Sequence, residues 1–286
     1  MSEWKSLHVF YHDITYKELL LCQVVTPYLN ELREEGRISK WFFINYWEGG
    51  PHLRIRVKDI SEEDYAELKD RMSKYMETNK SRFVVTREIY YEKNKMDGQE
   101  VDKKTLPWYE DRTIVEIDYE PEYERYGGQK VIDLAEDMFC KSSDLSAVII
   151  KNTIEKFNAR FSIAIDLFIK VLFDIGCLNE VFLGMYSAWW GQYLGEDKPV
   201  LKDLVYSIIS KKVDTIVEGS YKNDFIINYS REMTKYFENL KAAGLKVNEA
   251  CSIIASHMHM TNNRLAVTPE YEYVIAESIL RKIKGN

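Results

Sequence analysis

Three short clusters in the 286-residue chain hold side chains that could bind an anion and move a proton. They are residues 49–56 (Gly-Gly-Pro-His-Leu-Arg-Ile-Arg), 122–128 (Glu-Tyr-Glu-Arg-Tyr-Gly-Gly) and 259–264 (His-Met-Thr-Asn-Asn-Arg). A guanidinium group matches the two oxygens of a carboxylate, and histidine changes its protonation near neutral pH. If the fold brings the clusters together, they form a pocket that binds carboxylate and transfers a proton.

In the first cluster, Arg54 and Arg56 stand two residues apart in a segment that alternates like a strand. A period of two places both on one face and puts Leu53, Ile55 and Val57 on the other. Two guanidinium groups on a strand of an otherwise apolar hairpin must meet anions or water. The spacing is compatible with an anion site and equally with a solvated or ion-paired strand face.

The second cluster centres on Arg125, which stands just before Gly127 and Gly128. Paired glycines permit backbone conformations that other residues avoid. This predicts that Arg125 lies at a junction between a strand and a helix that begins near residue 130. The residue either faces a site or pairs with Glu122 or Glu124 to hold the turn.

In the third cluster, His259 is predicted near the end of a helix, two residues after His257. Residues spaced by two on a helix point to different sides, so only one of these histidines is expected to face a pocket. A lone helical histidine is more often structural than catalytic. No cysteine or carboxylate has the spacing to make the pair a metal site, so no metal is predicted.

Bulk composition narrows the class of protein. The formal net charge is −7, which argues against nucleic acid as a direct partner, because phosphate contacts need a basic face. The sequence contains no run of about 18 apolar residues, so no membrane span is predicted. The first residues do not resemble a signal peptide. The four cysteines stand alone in the sequence, with no CxxC pair and no metal-ligand spacing, and are predicted to be buried and reduced, as in a cytoplasmic protein.

The predicted secondary structure that must position the clusters differs between the first and the second half of the chain. Before residue 128, period-two and period-3.6 patterns alternate. They predict a strand over 7–11, a helix over 16–35, a hairpin over 41–57, a helix over 62–76 opened by Ser61 and Asp64, and strands over 82–91 and 113–119. The segment 92–111, with Asp97-Gly98, is predicted to be a loop or hairpin end.

Helical spacing takes over after Gly128. It predicts one long helix over 143–176, then helices over 178–193, 200–217, 224–243, 247–259 and 269–283. We therefore predict an α+β fold with a sheet-rich N-terminal half packed on a mainly helical C-terminal half. The mixed part covers 1–128 and the helical part 129–286, within a single domain over 1–286.

As an ordered set, the clusters resemble the C-terminal elimination domain of lantibiotic dehydratases, which also occurs as stand-alone thiopeptide-type bacteriocin biosynthesis proteins. The motifs that carry the resemblance follow in order: Trp41-Phe42-Phe43-Ile44-x-Tyr46, the 49–56 cluster, Tyr119-Glu120-Pro121-Glu122 running into Arg125-Tyr126-Gly127-Gly128, and His259-Met260-x-x-Asn263-Arg264-Leu265. The resemblance covers nearly the whole chain and implies one elimination-type domain.

In that family, serine or threonine of a ribosomally made peptide is esterified with glutamate from glutamyl-tRNA, and the elimination domain removes the glutamate. The resemblance implies that the product is dehydroalanine or dehydrobutyrine. It assigns catalytic roles to Arg54, Arg56, Arg125 and His259. Further candidates for binding or orienting the substrate are Tyr126, Asn263, Arg264 and His52.

The resemblance also implies the partners. They are a precursor peptide with leader and core, and a separate glutamylation subunit that uses glutamyl-tRNA. No metal or organic cofactor is expected, and a homodimer is compatible with the sequence.

Two alternatives stay open at the level of sequence. A second branch of the family joins two dehydroalanines in a formal [4+2] cycloaddition that makes the pyridine core of thiopeptides. A non-catalytic peptide-binding scaffold within a biosynthetic complex would also suit the 20 tyrosines and 6 tryptophans.

Overall fold

The computed structural model describes residues 4–93, 102 and 104–285. The chain divides into two compact units. The first runs to Pro121 and also contains Ser142–Phe157, and the second contains Glu122–Lys141 and the chain from Asn158 onward. The single domain predicted over 1–286 stays a prediction.

The first unit is a four-stranded antiparallel sheet with helices. Its sheet has the order β2-β3-β1-β4, so β3 and β1 lie in the middle. The elements are β1 Trp4–Phe10, α1 Ile14–Leu20, a π-helical turn Leu21–Val25, α2 Thr26–Glu34, β2 Lys40–Tyr46, β3 His52–Lys58, α3 Glu62–Thr78, α4 Arg87–Lys93, β4 Thr113–Glu116, and the C-terminal part of α5 Ile132–Thr153.

The predicted hairpin is confirmed, with Tyr46 opposite His52 across the Gly49-Gly50 turn. Both glycines have positive φ, which a tight turn of this kind requires. On β3, Leu53, Ile55 and Val57 share one face, and Arg54 and Arg56 share the other. Arg54 stands opposite His8 on β1, so period-two alternation presents them on the same face.

The helix predicted over 62–76 is also confirmed. The Ser61 hydroxyl accepts a hydrogen bond from the backbone N–H of Asp64 and so caps α3. The predicted helix over 16–35 is present, with the π-helical turn at Leu21–Val25 between α1 and α2.

The strand predicted over 82–91 is wrong. The chain forms α4 there, and the Tyr90 N–H donates to the Thr86 carbonyl over a distance of 3.0 Å. Arg87 and Tyr91 lie one helical turn apart, with the Arg87 guanidinium 5.5 Å from the Tyr91 ring centre. Part of the predicted 92–111 loop, including Asp97-Gly98, lies outside the described residues.

The second unit is helical in its described residues. The prediction of one helix over 143–176 is wrong, because α5 ends at Thr153 and a new helix begins at Phe157. Glu155 between them has φ of 58°, a left-handed conformation that ends regular α-helix. The helices are the N-terminal part of α5, α6 Phe157–Asp174, α7 Glu180–Leu194, α8 Asp203–Val217, α9 Asp224–Ala242, α10 Val247–Arg264 and α11 Pro269–Lys284.

This arrangement confirms the α+β class, with the sheet in the first part of the chain and helices in the second. Among the residues that the structure describes, none of the helices combines the length and apolar character needed to cross a membrane. Cys22, Cys140 and Cys177 are buried and Cys251 is half-buried. The sulfur atoms of Cys177 and Cys251 lie 3.2 Å apart, a proximity that their spacing in the sequence does not indicate.

Candidate functional site

The first unit holds Arg54 and Arg56 on the polar face of β3, each against an aromatic ring. The guanidinium carbon of Arg54 lies 3.4 Å from the ring centre of Tyr46. That of Arg56 lies 4.3 Å from the ring centre of Tyr119. Stacking holds a guanidinium by its flat face, and the N–H donors lie along its edge. The arrangement therefore presets the planes of two cations on one strand.

Two buried histidines accompany these arginines. The rings of His8 and His52 are stacked with centres 5.0 Å apart. Burial, followed by the charges of Arg54 and Arg56, lowers the pKa of His8 to about 3. The pKa of His52 falls to about 2, again mainly through burial. Both imidazoles are therefore neutral at physiological pH.

This buried pair predicts acid sensitivity. The ordinary histidine pKa is 6.5, so the unfolded chain protonates His8 and His52 below that pH while the folded protein does not. Their contribution to stability is present above pH 6.5 and is lost as the pH falls towards 3. The loss is about 1.4 kcal/mol per histidine per pH unit in that window. Urea unfolding at several pH values measures it, and a His8→Gln variant with an unchanged slope would contradict it.

In the second unit, Arg125 lies in the turn that precedes α5. Its guanidinium donates to the Glu122 carboxylate over 3.2 Å, which is the turn-holding pair that the sequence left open. The same guanidinium lies 5.8 Å from the ring centre of Tyr126. Tyr126 is buried, and its ring meets Phe139 edge-on.

Gly127 fixes this turn. Its φ is 86°, and a Cβ there would lie 2.8 Å from Leu245 and 2.9 Å from Ile253 and Val131. Gly128 has φ of 94°, and a Cβ there would meet no atom of the described residues within 4 Å.

Gly127→Ala and Gly128→Ala therefore form a matched pair. Both substitutions carry the backbone penalty of about 1–2 kcal/mol for a left-handed alanine. Gly127→Ala is expected to lose about 1–3 kcal/mol more, because its methyl group overpacks the core. Chemical denaturation of the two variants measures the difference. Equal stabilities would show that the turn tolerates the extra methyl group.

His257, on α10, is the histidine that sequence analysis set aside. It is buried, and its Nε2 lies 3.0 Å from the hydroxyl of Tyr236. Burial lowers its pKa well below the ordinary value, and the charges of Arg264 and Arg125 act in the same direction. His257 is thus a neutral core residue in the neighbourhood of Arg125.

His259 stands in a different environment, with a side chain that is 20% exposed. Its Nδ1 lies 2.8 Å from Oε1 of Glu272 on α11, whose side chain is fully buried. The other carboxylate oxygen accepts a hydrogen bond from Asn262 over 3.1 Å and one from the hydroxyl of Tyr186. The ring centre of Trp190 lies 4.7 Å from that of His259.

The contact with Glu272 indicates which ring nitrogen carries the proton when the His259 imidazole is neutral. A carboxylate held by two neutral donors accepts a hydrogen bond from His259 Nδ1, which leaves Nε2 with the lone pair. Burial and the neighbouring carboxylate raise the pKa of Tyr186 well above its usual value, so its hydroxyl stays a donor. In this tautomer Nε2 is the ring nitrogen of the partly exposed His259 that is open to accept a hydrogen bond.

The two remaining candidates of the third cluster lie in the last turn of α10. Arg264 is buried and donates from Nη1 to the carbonyl of Met260 over 3.0 Å. Asn263 is half-buried, and its carbonyl accepts from the N–H of Ala266 where the helix ends. A direct role for Arg264 towards substrate therefore stays a prediction, with its contacts pointing to a supporting role.

Sequence reasoning missed Glu272, Tyr186 and the stacking partners Tyr46 and Tyr119. A signal for Glu272 exists in hindsight. Glu272 lies one turn into α11 and His259 lies in the last turns of α10, on either side of the short connection 265–268, and two consecutive helices can bring such positions together. Tyr46 stands directly opposite His52 in the hairpin, so strand register could also have indicated it.

The sequence-predicted residues thus form three described groups. His52, Arg54 and Arg56 share one strand of the first unit. In the second unit, Arg125 and Tyr126 lie near His257 and Arg264, and His259 is paired with Glu272. The convergence of all these residues into one pocket stays a prediction.

A protein-family model described as "Lantibiotic biosynthesis dehydratase C-term" matches residues 4–283. The chain belongs to the lantibiotic dehydratase C-terminal family. The epidermin biosynthesis protein EpiB of Staphylococcus epidermidis is 26% identical over 279 residues, which are 95% of this chain and 25% of EpiB. The chain therefore spans a quarter of the length of this curated relative.

Solved structures share the fold of this family member at low identity. The pyridine synthase TbtD from thiomuracin biosynthesis has a TM-score of 0.70 and 14% identity, covering 99% of this chain and 98% of TbtD. TsrL has a TM-score of 0.63 and 15% identity, covering 100% and 96%. The tRNA-dependent lantibiotic dehydratase MibB from Microbispora sp. 107891 has a TM-score of 0.65 and 16% identity, covering 99% and 28%.

Proposed function

We propose that this chain is a lyase that removes glutamate from glutamylated serine and threonine residues of a ribosomally made precursor peptide. The observation that carries the proposal is the partly exposed His259, whose Nδ1 lies 2.8 Å from the buried carboxylate of Glu272. A histidine oriented in this way suits the transfer of a proton from a weakly acidic carbon. The family membership and the arginines of β3 agree with it.

The reaction is a β-elimination. His259 Nε2 takes the α-proton of the esterified residue, and the electrons of that C–H bond form the Cα–Cβ double bond. The Cβ–O bond breaks, and glutamate leaves with its electron pair as a carboxylate. The protonated His259 is stabilised by Glu272, and dehydroalanine or dehydrobutyrine remains in the peptide.

The arginines would serve the anionic part of this reaction. The departing group is a carboxylate, and the glutamyl unit carries another. Arg54 and Arg56, with their planes preset by Tyr46 and Tyr119, suit two-pronged binding of such groups. Arg125 is proposed to neutralise developing charge in the second unit.

The proposal also specifies the partners. A separate glutamylation subunit would attach glutamate from glutamyl-tRNA, so this chain would receive a modified peptide and no tRNA. The formal net charge of −7 is consistent with that division. We place the reaction in the cytoplasm, where glutamyl-tRNA is made.

The test uses a glutamylated precursor peptide and mass spectrometry. We expect each modified residue to lose the glutamate and to become a dehydro residue. A glutamylated peptide that stays unchanged in the presence of the folded protein would contradict the proposal.

A second candidate is the formal [4+2] cycloaddition that makes a pyridine ring. The fold similarity to TbtD, with a TM-score of 0.70 over 98% of that protein, favours it. The His259–Glu272 pair favours elimination, because the reaction needs a proton acceptor at carbon. A peptide that carries two dehydroalanines separates the two: its conversion to a macrocycle would support cycloaddition.

A further inference from the structure

His52 is on β3 in the first unit, and its side chain is buried where a substrate cannot reach it. Its exposed fraction is 0%, and its ring is packed against Phe10, with centres 4.3 Å apart, and stacked on His8. Tyr46, its partner across the hairpin, meets it edge-on at 5.8 Å. A histidine enclosed on these sides acts on a ligand only through another residue.

The hydrogen bonds of His52 set its tautomer. Nδ1 lies 2.8 Å from the carbonyl of Gly50, an acceptor, so Nδ1 carries the proton. Nε2 then holds a lone pair, and it accepts a hydrogen bond from Nε of Arg54 over 3.3 Å. Burial keeps the ring neutral by lowering its pKa to about 2, so Nε2 remains an acceptor throughout the physiological range.

This acceptor acts on a guanidinium that is already held by one face. Tyr46 lies under Arg54 at 3.4 Å and sets the plane of the group, but a stack alone allows rotation within that plane. The bond from Nε to His52 removes this rotation. Together the two contacts restrict the directions in which the Nη atoms of Arg54 donate.

We propose that His52 is a positioning residue that orients Arg54 for a carboxylate ligand, through the chain Gly50 carbonyl, His52 imidazole, Arg54 guanidinium. The inference rests on the proposed function in taking that carboxylate to be the glutamyl group. The turn glycine thereby serves the site as well as the hairpin, because its carbonyl determines which nitrogen of His52 can accept.

The first test is spectroscopic and does not depend on the reaction. Nitrogen-15 NMR of the full chain, with histidine and arginine labelled, reports the His52 tautomer and the Arg54 Nε–H signal. We expect a protonated Nδ1, a lone-pair Nε2, and an Arg54 Nε–H shift that changes in His52→Leu. A protonated Nε2 would overturn the proposal even if the chain eliminates glutamate.

The second test measures elimination in matched variants. His52→Gln retains a side-chain acceptor, whereas His52→Leu removes it with a similar volume. We expect His52→Leu to lower kcat/KM by about 10²-fold, because a displaced guanidinium no longer meets the carboxylate, and His52→Gln to restore much of it. Circular dichroism and thermal unfolding establish that each variant is folded.

A double-mutant cycle separates positioning from general stability. If His52 acts through Arg54, adding His52→Leu to Arg54→Ala should cost no further activity. Independent losses in the two backgrounds, or a folded His52→Leu with full activity, would overturn the proposal. Absence of elimination in the wild-type protein would instead contradict the proposed function and leave the NMR result to decide the role of His52.

Discussion

The substitution His259→Asn is expected to lower the rate of glutamate elimination by about 10²–10⁴-fold, the usual contribution of a general base. Asparagine is close to histidine in size, and its amide can still donate to the buried carboxylate of Glu272. It offers no nitrogen lone pair to take the α-proton. The glutamylated peptide should therefore accumulate while its affinity for the protein changes little.

Single-turnover mass spectrometry at saturating peptide measures this effect. The matched variant is Glu272→Gln, which retains the shape of the side chain but removes the charge that stabilises protonated His259. We expect an intermediate loss there, since the imidazole remains present. His257→Asn tests the neighbouring histidine, which the structure places in the core without contact to Glu272 among its described hydrogen bonds.

Full activity in a folded His259→Asn variant would remove His259 from the mechanism. A large loss in both histidine variants would mean that the integrity of α10, and not proton transfer, was measured. The free energy of unfolding is therefore measured for each variant together with its elimination rate.

The second large effect is expected for Arg54→Lys and Arg56→Lys, although both retain the positive charge. Lysine cannot stack through a planar group and cannot bind a carboxylate with two parallel N–H donors. Loss of a charge-assisted hydrogen bond costs about 1.5–3 kcal/mol, which corresponds to roughly 10- to 150-fold in kcat/KM. Elimination with a series of glutamylated peptide concentrations measures it and separates binding from turnover.

Arg71→Lys is the control for the loss of an arginine–tyrosine stack. The guanidinium of Arg71 lies 4.2 Å from the ring centre of Tyr28, much as Arg56 lies 4.3 Å from that of Tyr119, but Arg71 is on α3. We expect its rate to stay near that of the wild type. Equal losses at Arg56 and Arg71 would show that the stack supports stability only, and unchanged rates at Arg54 and Arg56 would remove both from anion binding.

The sequence determined the local geometry of the candidate residues. Period-two alternation is a property of any extended strand, so it placed Arg54 and Arg56 on one face before any fold was known. Helical geometry likewise indicated that His257 and His259 point to different sides of their helix. The glycines at 49 and 50 indicated the turn of the hairpin. The ordered motifs also indicated the family, which the match over residues 4–283 confirmed.

Local pattern misjudged elements where a few contacts override it. The segment 82–91 alternates, yet α4 forms after Thr86, whose carbonyl accepts a hydrogen bond from the Tyr90 N–H, and Tyr91 is buried on one side of the helix. The helical spacing after residue 143 continues across a break at Glu155, because apolar residues recur in both helices that flank it. The apolar period indicates which faces are buried, but it does not indicate that a single residue adopts a left-handed conformation and ends the helix.

Only the tertiary structure decided which groups touch. The pairing of His259 with Glu272 depends on where the tertiary structure places α11 beside the end of α10, and the bond from Arg54 to His52 depends on side-chain rotamers within the sheet. The tautomers of both histidines follow from those contacts. The sequence shows which residue types occur and which of them share a face of a strand or helix. The protonation and direction of a side chain depend on the partners that tertiary packing places beside it.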